Sequence, residues 1–356
     1  MPRLRQQNAG RERCSQTGMS PKQAPAVSVI TPTKNRLELL GETMDSVLAQ
    51  SFDAWEHIIV DDGSDDETEE MVGRRVQQDL RVRYLPRAGE ATGANVCRNQ
   101  GLAAARAELI VFLDSDDLLE PECLARRVRI MQRNQDIDFA VSRRGAFLRR
   151  PGDLGYEQSP DLLGDDLLSF LFSEVPWQTT APIWRRDALM RLGGFDESLP
   201  SWQDVDLHVR AIAGGLRYLR LPHVDYHMRW QEDSAKVSTL QRRSPEHLKA
   251  AEAMLVKFER VVREGPGMTW MRQRALCSVY FFLAESWVDA GRLSEAIRCW
   301  ALIRDRNLGP RLLHGAGAGI LFLQAMGNQG RRLGKRIGHK WKGWARMRTE
   351  PELVPR

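Results

Sequence analysis

Cysteine is scarce in this chain, with five residues among 356, at positions 14, 97, 123, 277 and 299. The cysteines are odd in number and scattered, and no two of them form a CxxC pair. The sequence therefore favours neither a disulfide framework nor a zinc site. The amino-terminal stretch has arginines but no apolar core, so we expect no secretory signal there. These features predict a protein of the reducing cytoplasm.

Long apolar runs are also lacking. A helix that spans a bilayer needs about 20 consecutive apolar residues. The nearest approach, residues 312–327, is interrupted by His314 and Gln324. We therefore expect no transmembrane span, although 42% hydrophobic residues are enough to bury a full core.

Acidic residues are scarce over residues 1–24 and absent over 330–348. The net charge of +5 divides into +4 over residues 1–24, +8 over 330–348, −1 over 349–356 and −6 over 25–329. An acidic body with basic ends argues against a basic groove, so we expect no nucleic-acid partner. We predict a disordered basic arm over residues 1–24.

Strand and helix patterns alternate over residues 25–240, which predicts an α/β domain with a mostly parallel sheet flanked by helices. Beyond residue 245 the strand patterns stop, and helical periodicity predicts a helical appendage over 245–329. Within it, residues 280–303 resemble one tetratricopeptide unit, which favours a packing or oligomerisation role. The predicted strands are 27–31, 57–62, 82–85, 108–114 and 139–142, and the later predicted helices are 65–76, 94–105, 121–134, 245–263, 268–289, 293–305 and 310–327.

Carboxylates stand at the ends of two predicted strands. Asp61 and Asp62 end one strand, and Asp114 and Asp116 follow the most apolar one. Ligands of open α/β sheets bind at the carboxyl ends of the strands. The acidic stretch 61–66 has two interpretations. It is either the acidic start of the next helix, capped by Ser64 or Asp65, or a site where a carboxylate accepts hydrogen bonds from a base N–H or a ribose hydroxyl.

The run Asp-Ser-Asp-Asp at 114–117 brings three acids together. Such acids repel one another unless a cation or strong donors lie among them. Oxygen ligands suit Mg²⁺ or Mn²⁺, which proteins often hold by one or two carboxylates plus substrate phosphates. The run therefore predicts a divalent cation site.

Four segments in order resemble a family 2 inverting glycosyltransferase of the GT-A fold. They are VSVITPTKNR, SVLAQSFDAWEHIIVDDGSDDET, RNQGLAAARAELIVFLDSDDLLEP and RRDALMRLGGFDESLPSWQDVDLHVR, and the match covers about residues 26–230. The resemblance implies transfer of a sugar from a nucleoside-diphosphate donor, with UDP-sugars preferred, to a hydroxyl of a glycan or lipid-linked acceptor. It also implies Mn²⁺ or Mg²⁺ as cofactor.

The resemblance implies a role for each matching residue. Asp62 reads the nucleotide base with support from Asp61, and Asp204 is the base that takes the acceptor proton. Asp116 is the main metal ligand, and Asp114 meets ribose and metal. Further contacts to the nucleotide are implied at Thr31, Pro32, Thr33, Arg98 and Asn99.

Two positions depart from the family pattern. Gln203 stands where the family usually has an acid before the base, which could alter the acceptor site or the pKa of Asp204. Lys34 stands where an aromatic residue is more usual, which could alter how the nucleotide base is held. Neither departure removes a group that the chemistry requires.

Four other side chains each have two interpretations. Trp202 either stacks on the acceptor or packs in the protein. Trp177 and Thr179 either line the donor-sugar pocket or belong to the core. His227 either faces the diphosphate or is a structural histidine.

Residues 331–348 predict a basic amphipathic helix within a tail over 330–356. Such a helix with paired tryptophans is typical of an anchor on anionic lipid, and packing against the acidic body is the alternative. We therefore expect a cytoplasmic protein held at the inner face of a membrane. Its apolar residues would share one arc of about 120°: Leu333, Ile337, Trp341, Trp344 and Met347.

Two other functions fit parts of the sequence. One is an inactive GT-A-like scaffold that binds a partner through the helical appendage, which the joint presence of Asp62, Asp116 and Asp204 disfavours. The other is a nucleotidyltransferase, which would share the sheet and the metal acids. It would need a glycine-rich phosphate loop after the first strand, and TPTKNR has no glycine.

Overall fold

The structure is a computed structural model that describes residues 24–154, 157–158, 164–230, 244–308 and 319. The predicted arm over 1–24 and the predicted helix over 310–327 fall almost wholly outside the described residues. The tail over 330–356 falls wholly outside them.

The described residues form an α/β fold with nine strands in one sheet, which confirms the predicted fold class. Each of the five predicted strands corresponds to an observed one, with bounds that differ by a few residues. In chain order the strands are β1 (Val27–Thr33), β2 (Trp55–Asp61), β3 (Val82–Pro86), β4 (Leu109–Phe112), β5 (Leu118–Leu119), β6 (Phe139–Phe147), β7 (Glu157–Gln158), β8 (Pro182–Arg185) and β9 (Tyr218–Arg229).

Ten helices accompany the sheet within the described residues. The helix predicted over 121–134 begins at Cys123, so Pro121 precedes it rather than opening it. The helices are α1 (Leu37–Leu48), α2 (Thr68–Gln78), α3 (Ala94–Ala104), α4 (Cys123–Arg133), α5 (Asp166–Leu171), α6 (Arg186–Leu192), α7 (Gln203–Ala213), α8 (Pro245–Glu264), α9 (Trp270–Asp289) and α10 (Leu293–Asp305).

The sheet is parallel in its first half and mixed in its second. Its order is β3–β2–β1–β4–β8–β6–β9–β5, with β7 paired to β6. The strands β3, β2, β1 and β4 are mutually parallel. Beyond them β8 runs antiparallel to both β4 and β6, and β9 runs parallel to β6. The carboxyl ends of β1, β2 and β4 therefore meet at one edge.

Strands β1 and β2 lie inside the parallel half of the sheet, each between two neighbouring strands. Every residue of both strands is buried, as expected for parallel strands that helices cover on both faces. Helix α3 packs directly on β1 because Gly101 has no side chain. A Cβ atom there would lie 2.3 Å from Ile30 Cγ2. This close packing brings the first turn of α3 to the carboxyl edge of the sheet.

The helical appendage packs against the α/β part of the chain. Helix α8 contacts α7, and α9 contacts both α5 and α8. The buried side chains of these helices, such as Phe258 and Trp287, belong to the same hydrophobic core as the sheet. No helix in the described part of the chain combines the length and apolarity needed to cross a membrane.

Candidate active site

A cleft of about 430 Å³ opens at the carboxyl ends of β1, β2 and β4. Its size is that of a pocket for a small ligand. Ala94, Cys97 and Arg98, at the start of α3, form another wall. Six of the predicted site residues line the cleft: Pro32, Thr33, Asp62, Arg98, Asp114 and Asp116.

Asp62 lies at one end of the cleft, directly after β2. Its two carboxylate oxygens each accept a hydrogen bond from the N–H of Gly93 at 3.1 Å. Arg87 Nε lies 2.7 Å from Asp62 Oδ1, and Lys34 Nζ lies 3.8 Å from Oδ2. The lysine that departs from the family pattern is thus a cation beside this acid.

Asp61 faces away from the cleft and is 3% exposed. It accepts hydrogen bonds from Ser64 N at 2.9 Å and Ser64 Oγ at 2.7 Å. It also accepts one from the Tyr84 hydroxyl at 2.8 Å. Asp61 therefore holds the turn after β2, and with it the position of Asp62.

Asp114 and Asp116 lie at the end of β4, and each pairs with an arginine. Arg98 Nη2 is 2.7 Å from Asp114 Oδ1, and Arg36 Nη1 is 2.8 Å from Asp116 Oδ2. Burial raises the pKa of Asp116; Arg36 opposes this rise and the Asp114 carboxylate adds to it. Asp116 is therefore a partly desolvated acid that favours a neighbouring positive charge.

The third acid of the run, Asp117, points into the protein. Its Oδ2 accepts a hydrogen bond from Thr180 Oγ1 at 2.8 Å, and the N–H of Arg229 lies 3.4 Å from its Oδ1. Burial, with Asp114 and Asp116 nearby, raises the pKa of Asp117 well above its usual range. Two carboxylates of the run therefore remain for the cleft.

The carboxylate oxygens of Asp114 and Asp116 fit a divalent ion that is bound together with substrate phosphates. Within the described residues, no group of three or more His, Cys, Asp or Glu side chains forms a ready metal cage. Magnesium-type sites often use one or two carboxylates plus substrate phosphates, which is the set that Asp114 and Asp116 offer. The Arg36 guanidinium already occupies a cation position on Asp116.

Asp204 lies in the first turn of α7 and is partly buried. Burial raises its pKa; the hydrogen bond from Val205 N at 2.9 Å and the Arg98 guanidinium lower it, and Asp114 raises it further. Asp204 is thus within electrostatic reach of Arg98 and Asp114, which line the cleft. A carboxyl group with a raised pKa suits the work of a general base.

The residues 193–202, here called the base loop, lead from α6 into α7. Asn99 on α3 holds this loop, because its side chain accepts from Phe195 N and donates to Phe195 O, both at 2.9 Å. Gly194 permits this contact, since a Cβ there would lie 2.5 Å from Asn99 Oδ1. The amide of Asn99, a predicted nucleotide contact, therefore faces the base loop.

Three predicted contacts are buried and do not line the cleft. Thr31 is fully buried and its hydroxyl lies 2.9 Å from His57 Nε2 inside the sheet. Trp177 is 2% exposed and its ring meets the edge of Phe170, which favours its interpretation as a core residue. Thr179 is also buried and does not line the cleft.

The remaining three predicted residues do not line the cleft either. His227 pairs with Glu120 and packs over Gly145. A Cβ atom at position 145 would lie 2.3 Å from His227 Nδ1. These contacts favour the interpretation of His227 as a structural histidine. Trp202 is partly buried against the core, and Gln203 is the first residue of α7.

Sequence reasoning named Arg98, which pairs with Asp114, but missed two other cations that pair with the cleft acids. Arg36 and Arg87 hold Asp116 and Asp62. Arg229, at the end of β9, donates from Nε to the Asp116 carbonyl at 3.3 Å. Arg36 is the last residue of the TPTKNR motif, and its place in that motif is the sequence signal that it lies near the site.

Comparison with known proteins supports a relation over the first half of the chain. The family model Glycosyl transferase family 2 matches residues 28–184, which include the cleft acids but end before Asp204. TuaG of Bacillus subtilis, which carries the name of a teichuronic acid biosynthesis glycosyltransferase, is 39% identical over 109 residues, 30% of this chain and 42% of TuaG.

A second relative has a named acceptor. The GalNAc(5)-diNAcBac-PP-undecaprenol beta-1,3-glucosyltransferase of Campylobacter jejuni is 30% identical over 156 residues, 42% of this chain and 49% of that protein. The chain therefore spans less than half the length of these two relatives.

Two solved structures share the fold over most of the chain. TarS 1–349 of S. aureus in complex with UDP-GlcNAc has a TM-score of 0.60 at 18% identity, covering 84% of this chain and 90% of that one. The mannosyltransferase PcManGT of Pyrobaculum calidifontis, in complex with GDP-Man and Mn²⁺, has a TM-score of 0.54 at 19% identity, covering 92% and 89%. At these identities the likeness shows a common GT-A fold.

Proposed function

We propose that the chain is a family 2 glycosyltransferase, which transfers a sugar from a nucleoside-diphosphate donor to a hydroxyl of a glycan or lipid-linked acceptor. The match of the family model to residues 28–184 supports this proposal. The observation that carries the proposal is one cleft that joins Asp62, Arg98, Asp114 and Asp116 at the carboxyl edge of the sheet. An inactive scaffold would have no need to keep these charges together.

The donor nucleotide would lie with its base at Asp62 and its diphosphate toward Asp114 and Asp116. The Asp62 carboxylate can accept a hydrogen bond from a ring N–H of the base. Lys34, Arg36 and Arg98 line the same cleft and supply positive charge for a diphosphate. UDP-GlcNAc in TarS and GDP-Man in PcManGT show that the fold accepts different nucleotides, and we propose a UDP-sugar for this chain.

Asp116, with Asp114, would hold Mn²⁺ or Mg²⁺. When bound, such an ion stabilises negative charge on the leaving diphosphate as a Lewis acid. The Mn²⁺ in PcManGT supports this assignment. Arg36 now pairs with Asp116, and it would be free to contact phosphate oxygens once another cation compensates that acid.

Asp204 would act as the general base. It would take the proton of the acceptor hydroxyl as that oxygen attacks the anomeric carbon from the side opposite the leaving group. One displacement inverts the anomeric configuration and needs no covalent intermediate. The raised pKa of Asp204 makes this carboxylate a stronger base than an exposed aspartate.

The acceptor class is supported by a relative. The Campylobacter enzyme is named for an acceptor linked to undecaprenol diphosphate. A lipid-linked acceptor would place the reaction at a membrane surface, and the basic tail over 331–348 would then be an anchor on anionic lipid.

A donor screen tests the proposed function. Nucleoside-diphosphate sugars would be incubated with the full chain and Mn²⁺, and scored by thermal shift and by release of nucleoside diphosphate. The matching sugar 1-phosphates serve as controls because they lack the nucleoside. A cognate donor at a hundred times its Kd should stabilise the fold by about 2.7 kcal/mol. If no donor shifts the transition and none is hydrolysed, the proposal fails.

A further inference from the structure

Helix α7 carries a second acid, Asp206, two residues after Asp204 and on another face of the helix. Its side chain is fully buried. A buried carboxylate is stable only when paired charges and hydrogen bonds compensate it. Arg210, one turn further along α7, supplies the first partner, with Nε and Nη2 at 2.8 and 2.7 Å from Asp206 Oδ2.

The second partner of Asp206 comes from the helical appendage. Lys257 on α8 places its Nζ 2.8 Å from Asp206 Oδ1. The same Nζ lies 2.8 Å from Oδ2 of Asp196, which belongs to the base loop. One ammonium group therefore ties the appendage to both segments that flank Asp204.

The base loop has two further anchors. From α3, Asn95 Nδ2 donates to the carbonyls of Asp196 at 2.8 Å and Leu199 at 3.1 Å. From α7, Arg210 donates to the carbonyl of Gly194 at 2.8 Å. These contacts hold the backbone of the loop. Lys257 is the contact from α8 that holds its Asp196 side chain.

Charge compensation keeps this tie intact over a wide pH range. Burial acts to raise the pKa of Asp196, but hydrogen bonds from Lys257 and Ser198 lower it to about 2. The Asp196 carboxyl group therefore stays ionised, and able to pair with Lys257, at pH values well below neutral.

We propose that Lys257 is a positioning residue for sugar transfer, which directs Asp204 by holding α7 and the base loop, so that the helical appendage is part of the catalytic unit. The inference rests on the proposed role of Asp204 as the base. A base must lie within hydrogen-bond reach of the proton that it takes. A displacement of about 1 Å can reduce the rate about 100-fold.

The test compares two substitutions in the full-length protein. Lys257→Met keeps an unbranched side chain and removes the ammonium, which leaves Asp206 with Arg210 alone. Arg306→Met is the matched control. It removes one of two cations from the buried Glu259 on α8, which keeps Arg263 at 3.0 Å. Both variants thus lose one cation of a doubly paired buried acid, but only the first touches the base loop.

We expect Lys257→Met to lower kcat by roughly 10- to 100-fold, with the Kd for nucleoside diphosphate unchanged and the acid limb of the pH profile shifted. Arg306→Met should keep the kcat and pH profile of the parent. Lys257→Arg should restore most of the lost rate, because its guanidinium can still pair with both acids. Equal losses in Lys257→Met and Arg306→Met, or a parental kcat and pH profile in Lys257→Met, would overturn the proposal.

Amide hydrogen exchange gives a readout that needs no substrate. Lys257→Met should speed exchange across residues 193–213 and leave β1 and β2 unchanged, while Arg306→Met should not affect 193–213. Unchanged exchange in Lys257→Met overturns the positioning role, whatever the activity. A parent that transfers no sugar, together with faster exchange in this variant, refutes the proposed function and still supports the tie.

Discussion

Replacing Asp204 by Asn removes the proposed base and keeps its shape. The side-chain oxygen of Asn can still accept the hydrogen bond from Val205 N, now at 2.9 Å, so the start of α7 should be preserved. Asn cannot take a proton from the acceptor hydroxyl. A general base contributes about 10²- to 10⁴-fold to a rate, so kcat should fall by that factor. The fall corresponds to about 3–5 kcal/mol in activation free energy.

The same substitution should leave donor binding intact, because Asp204 is not among the residues that line the cleft. The assay measures kcat by product formation and the Kd of the nucleoside-diphosphate sugar by calorimetry. Asp187→Asn, an exposed acid in the first turn of α6, is the matched control and should behave as the parent does. If Asp204→Asn weakens donor binding as much as it slows turnover, Asp204 is a binding residue and the reasoning is wrong.

The pKa of Asp204 adds a pH test with a definite sign. Because burial raises this pKa above the unfolded value, the folded protein penalises the charged form. The penalty is present at neutral pH and disappears as pH falls below both values. Asp204→Asn should therefore raise Tm at pH 7, and the gain should vanish in acid. The parent kcat should fall as pH drops through the raised pKa, since the base is then protonated.

Three further predictions concern the metal, the nucleotide and the tail. Asp116→Asn should lower turnover by several orders of magnitude with an unchanged fold, and EDTA should have the same effect on the parent protein. Full activity of the parent in EDTA would contradict the metal role of Asp116. Asp62→Ala should weaken nucleotide binding by about 1.5–3 kcal/mol and change kcat little. If calorimetry gives the variant and the parent equal affinity for every nucleotide, the proposed role of Asp62 is refuted. Removal of residues 330–356 should abolish sedimentation with anionic vesicles and preserve turnover of a soluble acceptor analogue, whereas retained vesicle binding would exclude the tail as the anchor.

The acids of the cleft could be predicted because their positions follow from local patterns. Strand β4 is a continuous apolar run and β2 contains the apolar run Ile58–Val60, and Asp62, Asp114 and Asp116 follow these runs closely. In a parallel sheet these ends meet at one edge, so the strand pattern alone brings the acids together. The structure places all three at the wall of one cleft.

Trp177 shows where local pattern is insufficient. A tryptophan before a short polar turn fits a sugar-stacking residue as well as a core residue. The structure buries it between Phe170, His208 and Tyr218, and Arg220 lies over its ring. These neighbours come from three different elements, and only the folded chain brings them together.

The charge partners could not be predicted for a related reason. Arg36 and Asp116 are eighty positions apart, and Lys257 is more than fifty positions from Asp206. No periodicity in the sequence links such residues, because their contact depends on how α1 and α8 pack beside the sheet. The chain has 52 basic residues, so composition alone does not select these two.

The configuration of the product tests the central claim most directly. A cognate donor and a soluble acceptor would be converted by the full chain, and the anomeric coupling constant of the new glycosidic bond would be measured by NMR. A single displacement with Asp204 as base predicts a product with the anomeric configuration opposite to that of the donor. A product that retains the donor's configuration would contradict the mechanism.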